Sequence, residues 1–252
     1  MKPEIDRAAA DLLAARRVVA LTGAGISVDS GIPPFRGKGG LWERYDPMEV
    51  GHIGAFLRDP EKVWRTLFLD LGRVVQKARP NAGHLGLVAL ERRGRLRTVI
   101  TQNVDGLHQA AGNTEVVEFH GTFARMRCSA CEGRVASQQV PLHALPPRCD
   151  CGGIYRPDCV LFGEAIPEEA LMRSREASVD CDLLLVIGTS AEVHPAAMIP
   201  GLARRSGARV VEINPEATPL SGRVSEYRVP AGAGEAMPRI LSAFDRMAAG
   251  AR

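Results

Sequence analysis

Apolar residues fall into two rhythms along this chain. Over residues 4–16, Ile5, Ala8, Ala9, Leu12 and Leu13 recur at helical spacing and predict a helix with one buried stripe. The run Val18-Val19-Ala20-Leu21 that follows has no polar member, as a short strand buried on both faces requires. It leads straight into Thr22-Gly23-Ala24-Gly25, and a strand feeding a Gly-rich turn and then a helix is how nucleotide-binding α/β folds begin. Residues 31–41 are dense in Gly and Pro and read as a loop. Residues 60–78 predict a helix with Val63, Leu67, Leu71, Val74 and Val75 on one face, and 82–93 predict another. Three further apolar strands end in polar or Gly-containing turns. They are Leu96–Thr101 before Gln102-Asn103, Leu183–Ile187 before Gly188-Thr189-Ser190, and Arg209–Ile213 before Asn214. A helix around 196–206 separates the last two, and a final helix spans about 234–248. Apolar strands alternating with helices predict an α/β fold, a parallel sheet covered on both faces with its ligand at the carboxyl ends of the strands. Residues 122–155 lack this rhythm and read as an inserted module.

Composition sets limits on this picture. A chain of 252 residues suits one large α/β domain, or one domain carrying a small insertion. Hydrophobic residues at 45% supply a core, and 24% charged residues is an ordinary globular value. The net charge of +3, from 32 basic and 29 acidic residues, is too balanced to predict nucleic-acid or membrane binding. No apolar run approaches the length of a membrane span. Glu4, Asp6 and Asp11 interrupt the stretch where a signal peptide would be apolar, so a cytoplasmic location is expected.

Two local patterns carry chemistry. Cys128-x-x-Cys131 is followed after seventeen residues by Cys149-x-Cys151-Gly-Gly. Two close thiol pairs on turns can close a tetrahedral shell around zinc, and four protein ligands leave no open position, so the metal would be structural. Cys159 and Cys181 lie in apolar segments and read as core residues. The second pattern, Gly23-Ala24-Gly25-Ile26-Ser27-Val28, matches only the first two glycines of G-x-G-x-x-G. It fits a backbone approaching a pyrophosphate beside a helix N-terminus, and equally a tight turn with no ligand.

Taken together, the motifs resemble those of the sirtuins, the NAD-dependent protein deacylases, in their bacterial and archaeal form. The resemblance rests on Gly23-Ala24-Gly25-Ile26-Ser27 with Ser30-Gly31-Ile32-Pro33-Pro34-Phe35-Arg36, and on Thr101-Gln102-Asn103-Val104-Asp105-Gly106-Leu107-His108. His120-Gly121, the cysteine pairs, Arg156-Pro157-Asp158, Phe162-Gly163-Glu164, Gly188-Thr189-Ser190, Pro195-Ala196-Ala197 and Ile213-Asn214 continue it in family order. It implies one deacylase unit across 1–252. A large Rossmann-like domain would comprise about 1–41, 81–121 and 156–252. A small domain would join a helical insertion of about 42–80 to a zinc module of about 122–155. NAD would lie between them as co-substrate. The implied reaction moves the acyl group of a protein lysine onto ADP-ribose and releases nicotinamide.

The family roles carry over residue by residue. His120 would be the catalytic base, an imidazole being able to titrate near operating pH, although a lone His before Gly also suits a strand-end turn. Asn103 would share in catalysis, and Gln102, Asn103, Val104 and Asp105 would surround the nicotinamide and its ribose. Asp105 could instead cap the helix that follows. Phe35 and Arg36 would shield the ribose and contact the cofactor, with Trp42 nearby. Gly23, Ala24, Gly25 and Ile26 would meet the phosphates with Gly188, Thr189 and Ser190. Asn214, Pro215, Glu216 and Ala233 would hold the adenosine end. A peptide would add as a strand beside 160–164, with Val160, Phe162, Gly163, Glu164 and Val193 contacting it and its acyl-lysine. Members that remove acidic acyl groups carry Tyr and Arg where this chain has Leu67 and Asp70, so weak desuccinylation is expected. Two alternatives share these motifs: an NAD-dependent mono-ADP-ribosyltransferase, and a non-catalytic zinc-containing module that binds ADP-ribose or peptides.

Overall fold

The computed structural model of the protein describes residues 1–35 and 39–250. Six strands form one parallel sheet: β1 (Val18–Thr22), β2 (Leu96–Thr101), β3 (Val116–Glu118), β7 (Leu183–Ile187), β8 (Arg209–Ile213) and β9 (Tyr227–Val229). Their order is β3-β2-β1-β7-β8-β9. The chain winds outward from β1 in one direction, then crosses to β7 and winds the other way. That is the doubly wound Rossmann-like order, and its crevice opens between the carboxyl ends of β1 and β7. β1 and β7 pair in strict register from Val18↔Leu183 to Thr22↔Ile187.

Side-chain alternation distributes these strands between two layers. Val18 and Ala20 of β1, with Leu183, Leu185 and Ile187 of β7, enter a core with Ile5, Leu12, Leu87, Leu90, Met237, Ile240 and Phe244. The intervening Val19, Leu21, Leu184 and Val186 enter a second core with Ile199 and Ala203. The helices Lys2–Ala14, Ala82–Arg92 and Ala233–Gly250 therefore cover one face, and Glu168–Asp180 and Ile199–Arg205 the other. Both faces of every central strand are buried, which is why these strands read as unbroken apolar runs.

Outside this sheet, β4 (Gly121–Cys128), β5 (Arg134–Ala136) and β6 (Tyr155–Cys159) form an antiparallel sheet ordered β5-β4-β6. The stretch from Leu41 to Lys77 is helical in short pieces. Where one continuous helix is expected over 60–78, a π-helical turn at Trp64–Phe68 interrupts it. It buries Trp64, Leu67 and Phe68 together, and the Trp64 indole N–H donates to the Tyr155 carbonyl at 2.9 Å. These helices share one apolar cluster with the antiparallel sheet, including Leu41, Phe56, Val63, Trp64 and Phe68 with Phe123, Met126, Cys159 and Leu161. Among the described residues, no helix is long and apolar enough to cross a membrane.

Candidate active site

A cavity of about 850 Å³ lies at the carboxyl ends of β1, β2, β7 and β8 and reaches to β6 and the helical stretch. Its floor is built where two backbones nearly touch. The Gly25 N–H donates to the Gly188 carbonyl at 2.8 Å, and the Gly23 N–H to Ile187 at 3.1 Å. A Cβ on Gly25 would sit 2.6 Å from Gly188 Cα, and one on Gly23 would sit 2.7 Å from Thr189 Cβ. Gly188 itself has φ +59°, a left-handed conformation that suits glycine. The glycines are thus required by the approach of the β1 and β7 turns to each other, and the same close approach exposes their backbone to the cavity. The segment after Gly23 is a 3-10 helix, Ala24–Ser30, where an α-helix would be the expected continuation.

At the end of β2 the polar side chains are held in place by hydrogen bonds. Asn103, buried, donates from Nδ2 to the Gly23 carbonyl and to Ser27 Oγ, both at 3.1 Å. Its Oδ1 is buried with no partner among the described residues. Asp105 accepts from the Ser27 hydroxyl at 2.7 Å and from the Leu107 N–H at 2.9 Å. Burial outweighs these bonds and raises its carboxyl above the usual carboxylate range. Asp105 therefore anchors the following turn and also faces a small side cavity with Asn103, Val104, Phe35 and Leu71. Gln102 donates from Nε2 to Thr189 Oγ1 at 2.9 Å, tying the ends of β2 and β7 together.

His120 stands just before β4, on the cavity wall. Its Nδ1 lies 3.1 Å from the Gln102 carbonyl. A carbonyl can only accept, so Nδ1 carries the hydrogen and Nε2 keeps its lone pair as a base. Burial pushes the imidazole below its ordinary value, and the bond to Gln102 opposes that shift. The neutral, basic form is thereby favoured. Gly121 has φ +74° and packs against the Asp158 and Cys159 backbone, which fixes the turn that presents His120.

The remaining residues expected from sequence divide clearly. Gly23, Ala24, Gly25, Phe35, Trp42, Val104, Ser190, Asn214, Pro215 and Glu216 line the cavity, as do Val160, Phe162, Gly163, Glu164 and Val193. Phe35, Trp42 and Phe162 form an aromatic row with centroids 5.6 and 6.0 Å apart. Ile26 and Ala233 instead point into the sheet's core, and Gly232 lines the cavity beside Ala233. Arg36 lies outside the described residues. Glu164, expected beside the peptide, is largely committed inward. Its carboxylate pairs with the buried Arg156 and with Arg127, and accepts from the Leu161 N–H at 2.8 Å. Leu67, Phe68 and Leu71 line one apolar part of the wall. Asp70 is turned to Tyr45, whose hydroxyl donates to it at 2.5 Å, with Arg44 and Arg73 each 3.8 Å away.

Some site residues carry no distinctive sequence signal. Ser27 is fully buried and joins Asn103 to Asp105, a role that its place in the motif Gly23–Ser27 does not reveal. Glu212 is fully buried on β8 and gathers the hydroxyls of Thr218, Ser221 and Ser225. It thereby holds the loop that brings Asn214, Pro215 and Glu216 to the cavity.

At the far end of the β4–β6 ladder from His120 lies the cysteine cluster. The four Sγ atoms of Cys128, Cys131, Cys149 and Cys151 all fall within 4.8 Å of one another. Cys128 and Cys151 are 3.5 Å apart, and Cys131 and Cys149 are 3.9 Å apart. Tetrahedral zinc with bonds of about 2.3 Å separates its sulfurs by about 3.8 Å. A Cβ at Gly153 would lie 2.5 Å from Cys128 Sγ, so a glycine is what lets the chain close over the sulfur. The donor set and spacing fit a metal ion.

Comparison with known proteins agrees with this geometry. A family model described as the Sir2 family matches residues 23–195. The chain is 49% identical over 239 residues to NAD-dependent protein deacylase 2 of Pyrobaculum aerophilum, covering 94% of this chain and 95% of that protein. It is 47% identical over 232 residues to an NAD-dependent protein deacylase of Thermus thermophilus, covering 90% of each. Its structure is similar to a complex of a Sir2 homologue with NAD, with TM-score 0.89, 40% identity, and 96% and 94% of the two chains covered. It is also similar to a Sir2–p53 peptide–NAD+ complex, with TM-score 0.85, 35% identity, and 92% and 95% covered.

Proposed function

The chain belongs to the Sir2 family, and we infer that it is an NAD-dependent protein-lysine deacylase, with acetyl-lysine its principal substrate. The products are nicotinamide, O-acyl-ADP-ribose and free lysine. The observation that carries the reading is His120, whose Nδ1 is spent on the Gln102 carbonyl while Nε2, with no partner among the described residues, is left as a base on the wall of the cavity.

Each part of the wall then has a task. NAD lies across the β1–β7 crevice. Among the described residues no Lys or Arg lines the cavity, so backbone N–H groups of the turns and the Ser190 hydroxyl meet the phosphates. Asn214, Pro215 and Glu216 take the adenosine end, on the loop that Glu212 holds. Nicotinamide lies at the Gln102–Val104 end of the main cavity, beside Asn103, whose Oδ1 has no partner among the described residues; the side cavity that Asp105 lines, about 10 Å³, is too small to hold the ring. The acyl-lysine enters past Val160, Phe162 and Val193 toward Leu67, Phe68 and Leu71. Its acyl oxygen displaces nicotinamide at the ribose carbon. His120 Nε2 then takes the proton of a ribose hydroxyl as that oxygen attacks the acyl carbon, and water frees the lysine. The aromatic row of Phe35, Trp42 and Phe162 keeps other water from the ribose.

The four cysteines hold structural zinc, which ties the turn at Cys128–Cys131 to that at Cys149–Cys151 and so pins the end of the β4–β6 ladder where Cys128 pairs with Tyr155. The helical stretch and this ladder, which share one apolar cluster, form the small domain, and the parallel-sheet part forms the large one. The test is incubation of the protein with NAD and an acetyl-lysine peptide. Equal amounts of nicotinamide, O-acetyl-ADP-ribose and deacetylated peptide are expected. ADP-ribose attached to a protein acceptor, without loss of acetyl, would point to ADP-ribosyl transfer and overturn the reading.

A further inference from the structure

We propose that Glu192 is a specificity residue that selects acyl-lysine peptides carrying a cationic side chain next to the modified lysine. The proposal rests on the deacylase reading above. Glu192 is exposed and lines the cavity in the segment that leaves β7, beside the proposed peptide contact Val193. Ala191 before it has φ +52° and is itself buried, so the chain turns there and leaves the next side chain, Glu192, in solvent.

The charges around the cavity single this carboxylate out. Asp29, Glu164, Glu192 and Glu216 are the acidic residues on its wall, and no Lys or Arg among the described residues lies there. Asp29 and Glu216 belong to the glycine-turn and β8-loop sides, where NAD is assigned. On the peptide side, Glu164 is neutralised by Arg156 and Arg127 and held by the Leu161 N–H. Among the described residues no ion pair or hydrogen bond engages Glu192, in contrast to Glu164. A peptide lying between 160–164 and 189–195 therefore meets one negative charge that no described residue compensates. Lys or Arg beside the acyl-lysine would be attracted to it, and Asp or Glu repelled. An exposed pair of this kind changes affinity by about 1.4- to fivefold at low salt, and the effect fades as the Debye length shrinks.

The experiment uses three acetyl-lysine peptides that differ only in the flanking residues, which are Arg, Gln or Glu. KM at saturating NAD is measured for the full chain, for Glu192→Gln and for Glu192→Lys, at low salt and at about 1 M salt. The native chain is expected to show its lowest KM for the Arg peptide and its highest for the Glu peptide, with the spread collapsing in high salt. Glu192→Gln should flatten the series and Glu192→Lys should reverse it. Equal KM values for the native chain, or a native ranking that survives in both variants, would overturn the proposal. Absence of nicotinamide release from every peptide would overturn the deacylase reading instead. Peptide affinity by fluorescence anisotropy then carries the same comparison, and charge-blind binding or no binding also overturns the proposal.

Discussion

Substituting Gly25 by Ala separates two reasons for a glycine at this position. If the residue is there only so that a phosphate can approach, Gly25→Ala weakens NAD binding and leaves the unliganded fold untouched. The structure predicts otherwise. The added Cβ would lie 2.6 Å from Gly188 Cα, 2.8 Å from its oxygen and 3.0 Å from its carbonyl carbon. All three are backbone atoms, so no side chain can swing away and the β1 and β7 turns must separate. Overpacking of this kind costs about 1–3 kcal/mol. Gly→Ala also stiffens the unfolded chain and returns about 0.4–1 kcal/mol. The net loss lies between about 0 and 2.6 kcal/mol, and because all three contacts are to backbone it falls in the upper part of that range, about 1–2.6 kcal/mol, which for a chain of this size lowers Tm by roughly 2–10 °C. Thermal unfolding without NAD reads this directly. A Tm within a degree of the native value, with only the KM for NAD raised, would refute the claim that turn–turn packing sets this residue.

Other consequences follow from the same contacts. Because burial lowers the His120 pKa, the acid limb of kcat/KM should fall below the ordinary imidazole value of about 6.5, with activity rising as pH rises through it and level above. A limb centred above 7 in a pH–rate profile would contradict the assignment. His84 and His108, with ring centroids 5.0 Å apart, are held neutral by burial, at about 4 and about 3. Their unfolded forms take up protons below about pH 6.5, so stability present above that value is lost as pH falls toward the folded values. The loss is roughly 2–4 kcal/mol between pH 7 and pH 5. Urea midpoints should show it, and His108→Gln should shallow the slope; an unchanged slope would count against it. Metal analysis should find one zinc per chain, reduced in Gly153→Ala because the new methyl would crowd Cys128 Sγ; undiminished zinc would refute that packing. Succinyl-lysine peptide should turn over more slowly than acetyl-lysine peptide, since the wall offers Leu67 and no cation among the described residues. Faster succinyl removal would refute it.

Much of this was legible in the sequence, for physical reasons that differ by element. β1, β7 and β8 are buried on both faces, so their apolar runs announced both position and length. β3 and β9 have three residues each, too few to show a rhythm, and neither stood out. The helix over 60–78 was visible by its spacing, but the π turn at Trp64–Phe68 was not, because an extra residue in a turn leaves no mark on composition. Within the site, the order of motifs identified the strand-end residues and the cysteines. It could not show that Ser27 and Glu212 organise that site, since each acts through hydrogen bonds to residues distant or unremarkable in sequence. Nor could it show which way Asp70 turns, which depends on Tyr45 reaching across from the end of the helix Leu41–Arg44.

The central claim is that His120 acts as a base on a substrate bound with NAD. The most direct measurement is mass-spectrometric counting of products from an acetyl-lysine peptide and NAD, with the native chain and with His120→Ala. The native chain should yield O-acetyl-ADP-ribose and nicotinamide in equal amounts. Loss of a general base should cut the rate by about a hundredfold or more. Undiminished O-acetyl-ADP-ribose formation by His120→Ala would contradict the account.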